Sequence, residues 1–207
     1  MNSKDIQFHP LTPERWPDFE KLFGPNGACA GCWCMWWRLT SAQFRQMRGE
    51  ANRQALQAIV ESGGVPGIVA YSDGQPAGWC AIAPRHSLPR LKEGKSRIFA
   101  PVDHRPVWSV TCFFIARPFR RQGLSVKLLE AAVHHAAGHG ATIIEGYPVE
   151  PTGPALSPVE AYTGLADTFR RVGFVEVARR SETRPIMRYF VAGQGGGPAS
   201  RAQSEQP

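Results

Sequence analysis

Val110-Thr-Cys-Phe-Phe-Ile-Ala-Arg-Pro-Phe-Arg-Arg-Gln-Gly-Leu-Ser125, continued by Val126-Lys-Leu-Leu-Glu-Ala-Ala132, is the stretch that decides the fold. Val107 to Ile115 is nearly all apolar, as expected of a central strand buried on both faces. The chain then turns through Arg117, Arg120 and Arg121 and passes Gly123 into a segment with helical spacing, Leu124 to Ala137. Gly138 and Gly140 end that segment. The first amides of a helix are unpaired donors, and the helix dipole adds positive potential there. Gly123 lets the backbone approach a ligand closely. Strand, basic turn and helix N-terminus together form a cradle for a pyrophosphate. The turn has no Gly-x-x-x-x-Gly-Lys and lacks the second and third glycines of a dinucleotide fingerprint, so neither of those phosphate loops fits. A helix that merely begins with arginines would match the turn alone.

Working outward, Asp5 to Pro10 reads as a first strand, and Thr12-Pro13-Glu14 as the start of a short helix ending near Phe23, before Gly24-Pro25-Asn26-Gly27. Thr40 or Ser41 caps a second helix, with Phe44, Met47, Ala51, Ala55, Leu56 and Ile59 on one face through Glu61. Ile68 to Tyr71 and Ala77 to Ala83 are strands joined across Ser72-Asp73-Gly74-Gln75, whose Asp-Gly pair signals a hairpin. Residues 84–106 form a long Pro- and charge-rich loop, and residues 148–162 another. Beyond the central strand and its helix come a strand at Thr142 to Tyr147, a short helix at Ala166 to Val172, and strands at Phe174 to Ala178 and Pro185 to Val191. The order is β-α-α-β-β-β-α-β-α-β-β. One α/β domain over 1–192 is expected, with a disordered Gly-, Ser- and Gln-rich tail over 193–207.

Composition narrows the class. A chain of 207 residues, 43% hydrophobic and 20% charged, is an ordinary globular size and mixture. Met1 to Pro10 has no apolar core of a secretory signal, and no stretch reaches the ~18 apolar residues of a membrane span. Five cysteines, three of them within 29–34, do not form an extracellular disulfide pattern. A cytoplasmic protein with reduced thiols is expected. The net charge of +7 lies in residues 85–121, which hold nine Lys/Arg against Glu93 and Asp103. Such a field attracts a phosphate-bearing cofactor, an acidic substrate or a nucleic acid, unless the charges are scattered over a solvated face.

Arg120-Arg121-Gln122-Gly123-Leu124-Ser125 resembles the acetyl-CoA signature of the GNAT N-acetyltransferases, Arg/Gln-x-x-Gly-x-Gly/Ala, with Ser125 in the last small position. Pro118-Phe119-Arg120 resembles the family's lead-in, and Phe169-Arg-Arg-Val-Gly173-Phe174 its short helix ending in Gly-Phe. Cys32-Trp-Cys-Met-Trp-Trp-Arg38, Pro106-Val-Trp-Ser109 and Glu145-Gly-Tyr-Pro148 are similar to phrases of a bacterial subgroup of unknown acceptor. The resemblance implies a GNAT fold: a central, mostly antiparallel sheet with a splay between strands 4 and 5. It implies acetyl-CoA as acyl donor, its arm beside Phe113, Phe114 and Ile115 and its pyrophosphate on Arg120, Arg121 and the amides of Gln122, Gly123, Leu124 and Ser125. It also implies direct attack by a primary amine of a small, amino-acid-like metabolite, a backbone amide serving as oxyanion donor. A homodimer is plausible by family habit; a membrane is not expected, nor a nucleic acid. An acyl-CoA binder without turnover is the alternative.

The family's acidic Tyr falls here on Phe169, which is left to pack on the cofactor arm; Tyr162 or Tyr147 are the substitutes. Glu145, at a strand end, is the chosen base, with a structural ion pair as the alternative. His86 and His104 are further candidates that ordinary surface histidines would also explain. Cys29, Cys32 and Cys34 lack a nearby fourth ligand for zinc, so no metal is expected; small buried thiols are the simplest reading, with a redox or nucleophilic cysteine as the alternative. Trp33, Trp36, Trp37 and Arg38 are expected to border the acceptor site, Arg38 meeting a carboxylate, with plain core packing as the alternative. Tryptophans and basic residues occupy separate segments, which argues against single-stranded nucleic acid.

Overall fold

The computed structural model describes residues 5–92, 97–153 and 159–192. The expected tail over 193–207 lies outside them. Seven strands form one sheet in the order β1-β2-β3-β4-β5-β7-β6. They are β1 (Ile6–Pro10), β2 (Gly67–Ser72), β3 (Gln75–Pro84), β4 (Trp108–Ile115), β5 (Ile143–Gly146), β6 (Val175–Arg179) and β7 (Pro185–Phe190). The helices are α1 (Trp16–Phe23), α2 (Ser41–Gln46), α3 (Glu50–Glu61), α4 (Pro89–Lys92), α5 (Leu124–Gly138) and α6 (Ala166–Val172). All neighbouring strands run antiparallel except β4 and β5.

The helix expected over 41–61 is two helices. Thr40 and Gln43 form a reciprocal capping box on α2, and Gly49, at φ 78°, restarts the chain as α3. The break brings the Gly49 amide to the Gly31 carbonyl at 3.0 Å. Asn52, fully buried on α3, donates to the same carbonyl at 2.9 Å, so α3 is tied to the 24–40 loop. The Asp-Gly turn between β2 and β3 behaves as expected: Asp73 and Gly74 both have positive φ.

Helices cover both faces. On one, Leu128, Leu129, Ala132 and Ala136 of α5 pack with Ile68, Cys80, Ile82 and Val110 of the sheet. On the other, Phe19 and Phe23 of α1, Leu56 and Val60 of α3 and Trp33 of the loop pack on Val69, Trp79 and Ala81. A third cluster joins Leu88 and Leu91, which follow β3, to Trp37, Tyr147 and Ile186.

The sheet opens between its middle strands. The parallel β4–β5 ladder has three partners only, Trp108↔Ile144, Ser109↔Glu145 and Val110↔Gly146. β4 runs on for five more residues while β5 stops. The register of β3 against β4 shifts just there: Ala81 faces Cys112 and Ile82 faces Val110, leaving Thr111 as the extra residue. Such a bulge bends its strand and increases its twist, which carries the end of β4 away from β5. The Phe169 ring of α6 fills the inner end of the gap. A Cβ on Gly146 would sit 2.1 Å from Phe169 Cε1, so the end of β5 accommodates the ring only as glycine.

Candidate active site

Beyond the bulge, β4 leads into the turn singled out by the sequence. The antiparallel register turns the polar groups of Phe113 and Ile115 away from β3, into the splay. The Ile115 carbonyl accepts a hydrogen bond from Arg120 Nε at 2.8 Å, which folds the turn back against the strand. Arg121 (φ 59°) and Gly123 (φ 75°) are both left-handed, and Gly123 caps the 15-residue α5. Arg121, Gln122 and Gly123 are exposed, whereas Leu124 is buried and anchors the helix. No carboxylate pairs with Arg121 among the described residues. The helix N-terminus therefore faces solvent with its donors outward, as an anion cradle requires.

One expected donor is taken. The Phe113 amide donates to the Tyr162 carbonyl at 2.6 Å, so the segment entering α6 lies against the splayed strand. Next to that contact is a cavity of ≈ 340 Å³. Its wall includes Cys112, Phe113 and Phe114 of β4, Arg120 of the turn, Tyr162, Trp36, and Cys29, Cys32 and Cys34. Tyr162 is half-buried, its ring stacked on Trp37 with centroids 6.5 Å apart, and burial raises its phenol pKa well above the ordinary value. It stays protonated at neutral pH and can donate a hydrogen bond into the cavity.

Tyr147 and Glu145 are elsewhere. Glu145, 1% exposed, lies between two guanidiniums: Arg85 Nη1 donates to Oε1 at 2.9 Å and Arg188 Nε to Oε2 at 2.7 Å. Tyr147 Oη donates to Oε1 at 2.7 Å and lies 3.0 Å from Ser109 Oγ. Asp103 of the long loop accepts from Arg188 Nη1 and Nη2 at 2.6 and 3.1 Å. Both Glu145 oxygens are thus engaged, and Glu145 is not on the cavity wall. The expected base is a member of a buried, charge-balanced cluster that pins the 84–106 loop to β5 and β7. Arg85 extends it by donating to the Leu91 and Phe99 carbonyls at 2.9 and 2.7 Å. His86 and His104 are exposed on another part of the surface. The basic segment is accordingly not one free cationic face, since Arg85 turns inward and Arg105 pairs with Asp103 at 2.9 Å.

The tryptophans part company. Trp33 is buried among Trp16, Phe19 and Phe23, the core packing left open as an alternative. Trp37 is buried against Phe99, Tyr147 and Tyr162. Only Trp36 of the three lines the cavity, with the Arg90 guanidinium 3.7 Å from its ring centroid. Arg38 meets no carboxylate among the described residues; it donates to the Pro66 carbonyl at 3.2 Å. Phe169 is fully buried, with Phe113 at 6.0 Å and Phe174 at 4.9 Å between centroids, and acts as the floor of the splay. The described residues contain no cluster of three or more metal-ligating side chains, and no described helix is long and apolar enough to cross a membrane.

A family model of the GNAT acetyltransferases matches residues 33–154, more than half of the chain. The chain belongs to the GNAT acetyltransferase family. Solved GNAT structures share the fold at low identity. A GNAT-family acetyltransferase from Streptococcus agalactiae superposes with a TM-score of 0.54 at 14% identity, over 90% of this chain and 95% of that one. The aminoglycoside N-acetyltransferase AAC(6')-Iy in complex with CoA gives 0.53 at 14%, over 86% and 93%. The PaiA N-acetyltransferase from Thermoplasma acidophilum in complex with coenzyme A gives 0.51 at 11%, over 90% and 99%. No curated protein matches the sequence. In this GNAT chain the exposed turn at the start of α5 and the splay between β4 and β5 lie next to each other.

Proposed function

We propose that the protein transfers an acetyl group from acetyl-CoA to a primary amine of a small, amino-acid-like metabolite. The observation that carries this reading is the splay itself: β4 leaves β5 after Val110 and runs on into the exposed, left-handed turn at the start of α5. The pyrophosphate would rest on the amides from Gln122 to Ser125, with Arg120 and Arg121 supplying charge. The pantetheine arm would follow Phe113, Phe114 and Ile115 toward the cavity. Phe169 supports this strand from below. The cavity would admit the amine past Trp36, and the Tyr162 hydroxyl would hydrogen-bond the departing thiolate. CoA-bound structures of the same fold support the donor.

The test is release of CoA thiol from acetyl-CoA in the presence of a panel of primary amines, followed by mass analysis of the products. Thiol release that depends on both acetyl-CoA and one class of amine supports the proposal. The locked Glu145 and the Phe at position 169 favour a second reading, an acyl-CoA-binding module without turnover. That reading predicts stabilisation by acetyl-CoA with no thiol release for any amine.

A further inference from the structure

Four thiols, Cys29, Cys32, Cys34 and Cys112, line the cavity next to the splayed strand, and their surroundings differ. Cys34 Sγ accepts a hydrogen bond from the indole N–H of Trp79 at 3.0 Å, and Trp79 is fully buried. The Cys112 thiol, one residue before Phe113 on β4, donates to the Phe113 carbonyl at 3.9 Å, and the Arg38 charge lies near Cys34. Burial is the largest single influence on Cys34 and pushes its pKa up, but hydrogen bonding and the Arg38 charge outweigh it, leaving the thiol below its ordinary value. The neighbours behave oppositely. Burial raises Cys32 to about 11, and hydrogen bonding and burial hold Cys112 well above the usual range. One sulfur on this wall is therefore singled out by an indole N–H aimed at it, an arrangement that favours the thiolate, the form that attacks carbonyl carbon. The same wall carries no carboxylate and no imidazole among its described residues, so the cavity offers no ordinary base for an ammonium.

We propose that Cys34 is a nucleophile that takes the acetyl group from acetyl-CoA and passes it to the amine, in place of direct attack. The proposal rests on the acetyl-CoA reading above. In the first step the Cys34 thiolate adds to the thioester carbonyl carbon. A new carbon–sulfur bond forms, the bond to the CoA sulfur breaks, and CoA leaves as a thiolate hydrogen-bonded by Tyr162. That thiolate takes a proton from the incoming ammonium. The free amine then attacks the Cys34 thioester. A carbon–nitrogen bond forms, Cys34 departs as a thiolate, and the nitrogen gives its surplus proton to solvent. The sum is one acetamide, one CoA thiol and one proton from acetyl-CoA and the ammonium, with no redox change.

The test incubates the full chain with acetyl-CoA and no amine, quenches in acid, and maps acetyl groups by mass spectrometry. One acetyl group on Cys34, removed by hydroxylamine, is expected. It should be absent in the near-isosteric Cys34→Ser and present in Cys29→Ser. Trp79→Phe keeps the thiol but removes its donor, and labelling of Cys34 should slow at least about tenfold, a readout that survives if Cys34→Ser folds poorly. No acetyl on Cys34 of protein whose unfolding temperature acetyl-CoA raises would overturn the relay and leave the cofactor reading intact. Neither label nor stabilisation would overturn both.

Discussion

Replacing Glu145 by glutamine separates a structural carboxylate from a catalytic one. The side chain is 1% exposed and receives Arg85, Arg188 and Tyr147. Breaking a buried ion pair by removing one partner costs about 3–5 kcal/mol, because a charge is left uncompensated. Here the cost should fall near the lower figure of ~3 kcal/mol, since the remaining charges keep other acceptors. Arg188 retains Asp103, and Arg85 retains the Leu91 and Phe99 carbonyls. In a domain of this size each kcal/mol moves the midpoint by roughly 2–4 °C, so Glu145→Gln should unfold about 6–12 °C below wild type. Urea denaturation should show the same loss as a lower midpoint at unchanged slope. At a temperature where the variant is fully folded, its affinity for acetyl-CoA should match wild type. An unchanged midpoint combined with a hundredfold loss of turnover would refute the reasoning and make Glu145 the base after all.

Three further outcomes follow from the same structure. Gly146→Ala places a methyl group against the Phe169 ring and should cost about 1–3 kcal/mol in chemical denaturation, a loss that Phe169→Leu in the same chain should partly restore. Tyr162→Phe would remove the hydrogen bond proposed to the charged leaving group, worth about 1.5–3 kcal/mol, so kcat should fall roughly 10–150-fold while acetyl-CoA affinity holds; equal turnover would remove Tyr162 from the mechanism. Hydrogen bonds from Arg188 hold the Asp103 carboxyl well below the usual carboxylate range, so its pKa is depressed on folding. That contribution is complete above its unfolded pKa of roughly 3.9 and is lost as pH falls below it. Asp103→Asn should therefore be less stable at neutral pH and should show a shallower decline in acid, measured as unfolding free energy against pH.

The parts of the fold written locally were legible. The apolar run into Arg120-Arg121-Gln122-Gly123 named the central strand, the turn and α5, and Asp73-Gly74 named a hairpin. The clusters that join distant segments were not. Glu145 meets Arg85 and Arg188, 60 and 43 positions away, and a carboxylate at a strand end looks the same whether it is free or paired. The available hint was Arg188, a charge inside an otherwise apolar strand; it turns out to sit directly across from Glu145 in the β5–β7 ladder. The 24–40 loop was harder still. Ala28, Ala30, Trp33 and Cys34 all take positive φ, which their residue types do not announce, and this sends Trp33, Trp36 and Trp37 to three different environments. The same winding brings Cys34 to Cys112 and Trp79, a grouping that no sequence spacing encodes.

The most direct test of the central claim, that this turn and splay hold acetyl-CoA, is thermal unfolding with and without the cofactor for the wild type and Gly123→Glu. At about 100 times its dissociation constant, a bound ligand adds roughly 2.7 kcal/mol, or a rise of about 5–11 °C here. Gly123 sits at φ 75° with open space around its Cα, so glutamate there adds backbone strain and a negative charge to the cradle without a core clash. A rise in the wild type that is lost in Gly123→Glu is the predicted result. No rise in the wild type at millimolar acetyl-CoA, or an equal rise in both proteins, would contradict the account.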